Sequence, residues 1–247
     1  NPEVSETLRL GEALGRYLTA DIVAALELPR SDVSAMDGYA ICSPDAVGAK
    51  SSKTFTLKGE SRAGEPFEGG ALAQGECIRI FTGAVVPASA DTVVIQENVE
   101  RDHDLIHMRH DTPTGSNIRR RGEEIARDTV IARYGQLIRP NMIPLLASQG
   151  IAQVEVRRKL RVAFFATGDE LKAAGEFLDE GDIYESNLAS IDAVLQQYPV
   201  ELINMGVIED TPKAIKACLT RASTEADVVI SSGGVSVGDY DYVRQCV

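Results

Sequence analysis

The chain has 247 residues, 44% hydrophobic and 25% charged, the make-up of a globular protein with material for one large or two medium domains. A formal net charge of −12 argues against a nucleic-acid binder or a partner of acidic membranes, so an anionic ligand would need a local basic pocket. Cys42, Cys77, Cys218 and Cys246 show no CxxC spacing, which fits reduced thiols in the cytoplasm rather than a disulfide frame or a zinc site. Asn1 to Leu10 carries Pro2, Glu3 and Glu6, and no apolar run reaches about 18 residues, so neither a signal peptide nor a membrane span is expected. The missing initiator Met and an end at Val247, inside what reads as an open helix, suggest a fragment.

In chain order, Leu10, Ala13, Leu14, Tyr17 and Leu18 recur at helical spacing and predict a first helix ending near Ala20. An extended segment follows from Asp21 to Leu28, and then a loop and a turn dipeptide, Asp37-Gly38, leading into a strand at Tyr39 to Cys42. Strands are predicted at Phe55 to Lys58, Cys77 to Phe81, Thr92 to Gln96 and Leu105 to Met108; such short strands with Gly- and Pro-rich links predict a separate β domain. Thr82-Gly83 sits at a strand end, as a simple turn or as a hydroxyl facing a ligand. His103, His107 and His110 have spacing that could suit a metal on a helix, but their surroundings read as surface strand and turn. Arg119, Arg120 and Arg121 form the densest basic cluster, either a solvated face or the best local anion site. A short helix within Pro140 to Ser148 ends at Gly150, and Pro144, which would kink a helix begun at Pro140, leaves a start near Pro144 equally open.

From Leu160 the pattern becomes β-α-β-α-β: strands at Arg161 to Ala166, Val200 to Met205 and Val228 to Ile230, the last read as buried on both faces. Asn187 is expected to cap the first intervening helix, whose apolar face is Leu188, Ile191, Leu195 and Tyr198. Thr211-Pro212 opens the second, with Ile215, Cys218, Leu219 and Ala222 facing the core. This order predicts a parallel sheet, whose ligands bind outside the carboxyl ends of the strands. Acids follow each strand there: Asp169 and Glu170, Glu209 and Asp210, Asp239 and Asp241. After the third strand comes SSGGVSVGDYD, where glycines permit close approach and Ser231, Ser232 and Ser236 offer hydroxyls, so a phosphate cradle beside a divalent cation is the functional reading and a flexible turn the plain one.

SAMDGYA at 34 to 40, FTGAVVP at 81 to 87, NIRRRGEEI at 117 to 125, ATGDEL at 166 to 171 and SSGGVSVGDYD at 231 to 241 occur in the order in which the chain resembles the molybdopterin molybdenumtransferase family, which includes the gephyrin E domain. The resemblance implies an α/β fold: a three-layer, parallel-sheet molybdopterin-binding domain at 159 to 247, a separate β-rich lobe at 24 to 127, and a helical linking region made of 1 to 23 and 128 to 158. It implies insertion of molybdenum from molybdate into adenylylated molybdopterin, with Mg²⁺-dependent release of AMP. It implies functional roles for Asp37, Thr82, Glu124, Glu170, Asp210 and Asp241, with Glu170 and Asp241 on Mg²⁺. Ser232, Gly233, Gly234 and Ser236 would hold phosphates, and Arg119 and Arg120 would attract molybdate or the pterin phosphate. A cytoplasmic homodimer is implied, the β lobe of one subunit facing the α/β domain of the other, with a molybdopterin adenylyltransferase and recipient molybdoenzymes as partners and neither nucleic acid nor membrane.

Val33 stands where the family usually has Asn, and Glu124 where Asp is usual. The family continues into a Pro-Gly-Lys-Pro segment and a C-terminal β domain, so the chain as given is expected to be inactive. Two other readings share parts of the pattern: a pyrophosphate hydrolase or adenylyltransferase sharing only the α/β domain, which residues 30 to 125 argue against, and a non-catalytic dimeric scaffold.

Overall fold

A computed structural model describes residues 4–43, 54–233 and 242–247. The chain divides into two units, one made of Asn1–Ile22 with Ala132–Val247, the other of Val23–Ile131. Among the described residues no helix is long and apolar enough to cross a membrane.

The unit Val23–Ile131 is built on a six-stranded sheet in the order Thr92–Ile95, Gly38–Ile41, Glu76–Ile80, Thr54–Ser61, Leu105–Met108, Val99–Asp102. All neighbours run antiparallel except Thr54–Ser61 and Glu76–Ile80, which are parallel. The period of two along each strand sends alternate residues to opposite faces. Tyr39, Ile41, Cys77, Val94 and Ile106 join Phe55 and Met108 in one core. Ala40, Ile78, Ile80 and Val93 join Ala84, Val86 and Ala90 in the other. Burial in the first core pushes the Cys77 thiol up to about 12, so it stays protonated and packs as a small hydrophobe. His107 lies in a strand and bonds Thr54, while His103 occupies a turn at φ 53°, as the surface reading of the histidines expected.

In the other unit the predicted first helix does not form. Ser5–Arg9 is a strand, antiparallel to Gln153–Arg157, followed by a single 3-10 turn at Leu10–Ala13. Gly15, at φ 77°, breaks the helical path, and the backbone beyond it pairs elsewhere: Gly15 N donates to Ile138 O at 2.9 Å and Leu18 N to Gln136 O at 3.0 Å. Leu10, Ala13 and Leu18 are buried as helical spacing implied, but Leu14 and Tyr17 are exposed. In the part expected to link the domains, the described helix is Met142–Ser148, with Pro144 in its first turn and Gly150 at φ 77° beyond its end.

The strands Leu160–Thr167, Val200–Ile208 and Val228–Ser232 form the parallel sheet, with Leu160–Thr167 in the centre. Helix Asn187–Leu195 covers one face, where Phe164, Ala166 and Leu188 pack with Leu171, Ile191, Leu202 and Ile230. Helix Pro212–Glu225 and the short helix Val243–Cys246 cover the other, around Phe165, Ile215, Cys218 and Val243. Three layers result, and each fully buried Phe contributes about 1.5–3 kcal/mol of transfer free energy. Two expectations are corrected. Val228 and Val229 are 42% and 38% exposed, because their strand is bonded only to the central one among the described residues. Tyr198 is 59% exposed, because the helix ends at Leu195 and the chain has turned away before reaching it.

Candidate functional site

In the unit Val23–Ile131, the pairing of Gly38 with Ile80 brings the residue before one strand and the residues after the other to a common edge. Asp37 and Thr82 meet there. Asp37 Oδ1 accepts from Thr82 N at 2.8 Å and from Thr82 Oγ1 at 2.9 Å. The backbone N–H of Thr82, then its hydroxyl, holds the Asp37 carboxyl below the usual carboxylate range, and Arg79 adds to this. Both bonds fall on Oδ1, so Oδ2 remains open to a ligand among the described residues. A carboxylate so stabilised is a poor proton acceptor at neutral pH and a good fixed negative charge or ligand.

Gly38 is required where it stands: a Cβ on it would lie 2.0 Å from the carbonyl oxygen of Val94. Arg79, which sequence reading passed over, anchors the same edge. It donates to Gly38 O at 3.1 Å and Gln96 Oε1 at 2.6 Å, and its guanidinium lies over the rings of Tyr39 and Phe81 at 5.0 and 4.9 Å. The available signal was a lone Arg between Ile78 and Ile80 in the otherwise apolar predicted strand Cys77 to Phe81.

The arginine run is already engaged. Arg119 pairs with Glu124, Arg120 with Asp32 at 2.6 Å, and Arg121 with Glu27. Arg120 N also donates to Glu123 Oε2 at 2.7 Å and Arg121 N to Asp32 Oδ1 at 2.9 Å. Glu124 is thus tied to the first arginine of its own motif, and an oxyanion approaching Arg119 or Arg120 must compete with a carboxylate.

In the unit containing the parallel sheet, the register aligns Thr167 with Ile208 and Ala166 with Ser232, so the three carboxyl ends form one rim. Because the first strand is central and the chain leaves it to one side and then returns on the other, its carboxyl end is a topological switch point. Thr167 Oγ1 donates to Asp210 Oδ1 at 3.0 Å, and Asp210 N approaches Asp169 Oδ1 at 3.4 Å. Glu170 folds back over Gly168, where a Cβ would lie 2.7 Å from Glu170 Oε2. Gly233 takes φ 92°, and a Cβ on it would lie 2.5 Å from Thr167 O, so only glycine lets the Ser/Gly turn come this close to the central strand. Asn187 Nδ2 donates to Ser232 Oγ at 2.7 Å, while Glu185 rather than Asn187 bonds the helix's free Leu188 N–H at 2.8 Å. Thr167 and Asn187 are site residues that sequence reading missed, although Thr167 lies inside ATGDEL.

Of the expected residues, Gly234, Ser236 and Asp241, with Asp239, lie outside the described residues. Among the described residues, no three His, Cys, Asp or Glu groups gather around a common metal position. The oxygen donors of Asp169, Glu170 and Asp210 nevertheless match in chemistry what Mg²⁺ takes from proteins, one or two carboxylates completed by water and phosphate oxygens.

Comparison with known proteins agrees across the chain. A family profile described as the MoeA N-terminal region (domain I and II) matches residues 2–150, and one described as a probable molybdopterin binding domain matches residues 163–247. The chain is 37% identical over 244 residues to a molybdopterin molybdenumtransferase of Haemophilus influenzae, covering 98% of this chain and 59% of that protein. It is 35% identical over 242 residues to one from Nostoc sp., covering 98% of this chain and 56% of that protein. A crystal structure of a molybdopterin biosynthesis MoeA protein from Pyrococcus horikoshii superposes with a TM-score of 0.85 at 32% identity, over 94% of this chain and 62% of that one. The chain therefore spans less than two thirds of the length of these relatives.

Proposed function

The chain belongs to the MoeA family of molybdopterin molybdenumtransferases, and on that premise we propose that it serves the metal-insertion step of molybdenum cofactor biosynthesis. The substrates are adenylylated molybdopterin and molybdate; molybdenum enters the dithiolene and AMP departs. The observation that carries this reading is the carboxyl edge of the parallel sheet, where a glycine turn packed against Thr167 O adjoins the carboxylates of Asp169, Glu170 and Asp210.

Each part has a physical task. Ser232 and Gly233, with Gly234 and Ser236 beyond them, cradle phosphate oxygens, and Asn187 fixes the Ser232 hydroxyl. Thr167 orients Asp210. Glu170, with Asp241, is the hard-oxygen pair suited to Mg²⁺, which when bound neutralises charge on the phosphoanhydride as AMP leaves. Asp37, ionised and held by Thr82, supplies a fixed charge or ligand for the metal oxyanion or the pterin, and Glu124 fixes Arg119. Arg119 and Arg120 attract the oxyanion once it displaces their carboxylates. We place the reaction in a cytoplasmic homodimer, supplied by a molybdopterin adenylyltransferase and delivering to recipient molybdoenzymes.

The test is AMP release from adenylylated molybdopterin by the intact protein, with molybdate and Mg²⁺ varied independently. Release that needs both supports the proposal. Release indifferent to molybdate identifies a pyrophosphate hydrolase, and no release with retained dimerisation identifies a scaffold.

A further inference from the structure

We infer that the unit Val23–Ile131 carries a binding site for a doubly charged tetrahedral oxyanion in the pocket walled by Arg30, Arg121 and Arg127. Two segments, 24–30 and 121–129, run antiparallel and are zipped by backbone hydrogen bonds. Ala24 N donates to Thr129 O at 2.8 Å, Asp128 N to Ala24 O at 2.9 Å, Leu28 N to Ile125 O at 2.9 Å and Gly122 N to Pro29 O at 2.9 Å. This ribbon holds the three arginines on a fixed frame. The pocket they share with Ala25, Leu26 and Glu27 has a volume of about 190 Å³, below the ~300–1,000 Å³ of organic-ligand sites and suited to a small ion.

The charge count decides which ion. Three arginines and one glutamate line the pocket, a formal excess of +2. Glu27 is committed to Arg121, and among the described residues neither Arg30 nor Arg127 has an ion-pair partner. Elsewhere in the motif the structure cancels the charge, Arg119 with Glu124 and Arg120 with Asp32. The uncompensated charge therefore sits one step away from the arginines that the sequence singled out. Like charges confined in one pocket repel, and a dianion whose oxygens meet guanidinium forks relieves that repulsion with charge-assisted hydrogen bonds. Neither Arg30 nor Arg127 has a part in the metal-insertion reaction proposed above, so anion binding here can be measured whether or not that reaction is correct.

The experiment is calorimetric titration of the protein at low ionic strength, where screening is weak, with sodium molybdate, sulfate and phosphate in turn. The expected result is saturable binding of one oxyanion per chain, weakened at least about tenfold in R30Q/R127Q and unchanged in R139Q, an exposed arginine that does not line the pocket. Displacement of molybdate by sulfate and phosphate marks a general oxyanion site, and retention of molybdate against their excess marks one selective for the metal oxyanion; both support the site. If R30Q/R127Q melts early, the single variants R30Q and R127Q carry the test, each with a several-fold loss expected. No saturable binding by the unaltered protein, or unchanged binding by the folded arginine variants, overturns it.

Discussion

One carboxylate oxygen of Asp37 accepts both the backbone N–H of Thr82, at 2.8 Å, and its hydroxyl, at 2.9 Å, joining two motifs that lie 45 residues apart. Thr82→Val removes the hydroxyl and keeps the backbone donor. The Asp37 pKa should then rise, yet stay below the ordinary carboxylate range, because the backbone bond is the larger cause of the depression. Carboxyl-carbon NMR titration reads this directly, and an unmoved Asp37 resonance would contradict the hydroxyl's part. The sign for stability follows: a depressed pKa stabilises the fold above the unfolded value and is lost as pH falls through the folded one.

Gly38→Ala should disrupt the six-stranded sheet. Gly38 pairs with both Ile80 and Ile95, and the new methyl would sit 2.0 Å from Val94 O, a backbone atom that cannot step aside alone. A loss above about 3 kcal/mol in denaturant unfolding is expected, placing it among the severe substitutions. A variant within about 1 kcal/mol of the parent would show that the strand shifts without penalty.

Gly233→Ala adds a side chain at φ 92° against Thr167 O, 2.5 Å away. Forcing an L-residue into that conformation costs about 1–3 kcal/mol, which the turn would escape by moving off the central strand. Affinity for AMP should fall at least about tenfold, equivalent to about 1.4 kcal/mol, with the far-UV circular dichroism unchanged. Unaltered AMP affinity would separate this turn from phosphate binding.

Asp227 ties down the start of the central strand. Both its oxygens accept from Arg158 at 2.6 Å, and Oδ2 also accepts from Arg161 N at 2.9 Å. The Arg158 hydrogen bonds, then the Arg161 backbone, hold its carboxyl far below the usual range. Asp227→Asn should measurably destabilise the fold at neutral pH, because it removes the charge from both Arg158 hydrogen bonds of this part-buried pair. Because the parent carboxylate stabilises above the unfolded Asp pKa of about 3.9 and loses that stabilisation as pH falls through its folded pKa, the gap between parent and variant should narrow below about pH 4. A gap constant down to pH 2 would contradict the ion-pair account.

The α/β half was legible because its signals are local. Thr211 caps a helix with Pro at its first position, accepting from Ala214 N at 3.3 Å, and Ile215, Cys218 and Ala222 bury the expected stripe. The first helix was misread because Leu10 to Leu18 fits a helical period, while partners 117 to 142 residues away claim its backbone. No local pattern could report that competition. At the candidate site, motif order pointed to Asp37, Thr82, Asp210 and Gly233, but could not show that Arg119 and Arg120 are neutralised by Glu124 and Asp32. Nor could it show that Asn187 serves Ser232 instead of its own helix. Such facts are set by which side chains meet across the fold.

The most direct test of the central claim is the stoichiometry of a single turnover: molybdenum bound to the dithiolene and AMP released, measured together on one sample of the intact protein with adenylylated molybdopterin, molybdate and Mg²⁺. The account predicts one molybdenum incorporated for each AMP released, and both losses in step for Asp37→Asn. AMP released in full while molybdenum stays free would contradict coupled insertion and leave only hydrolysis.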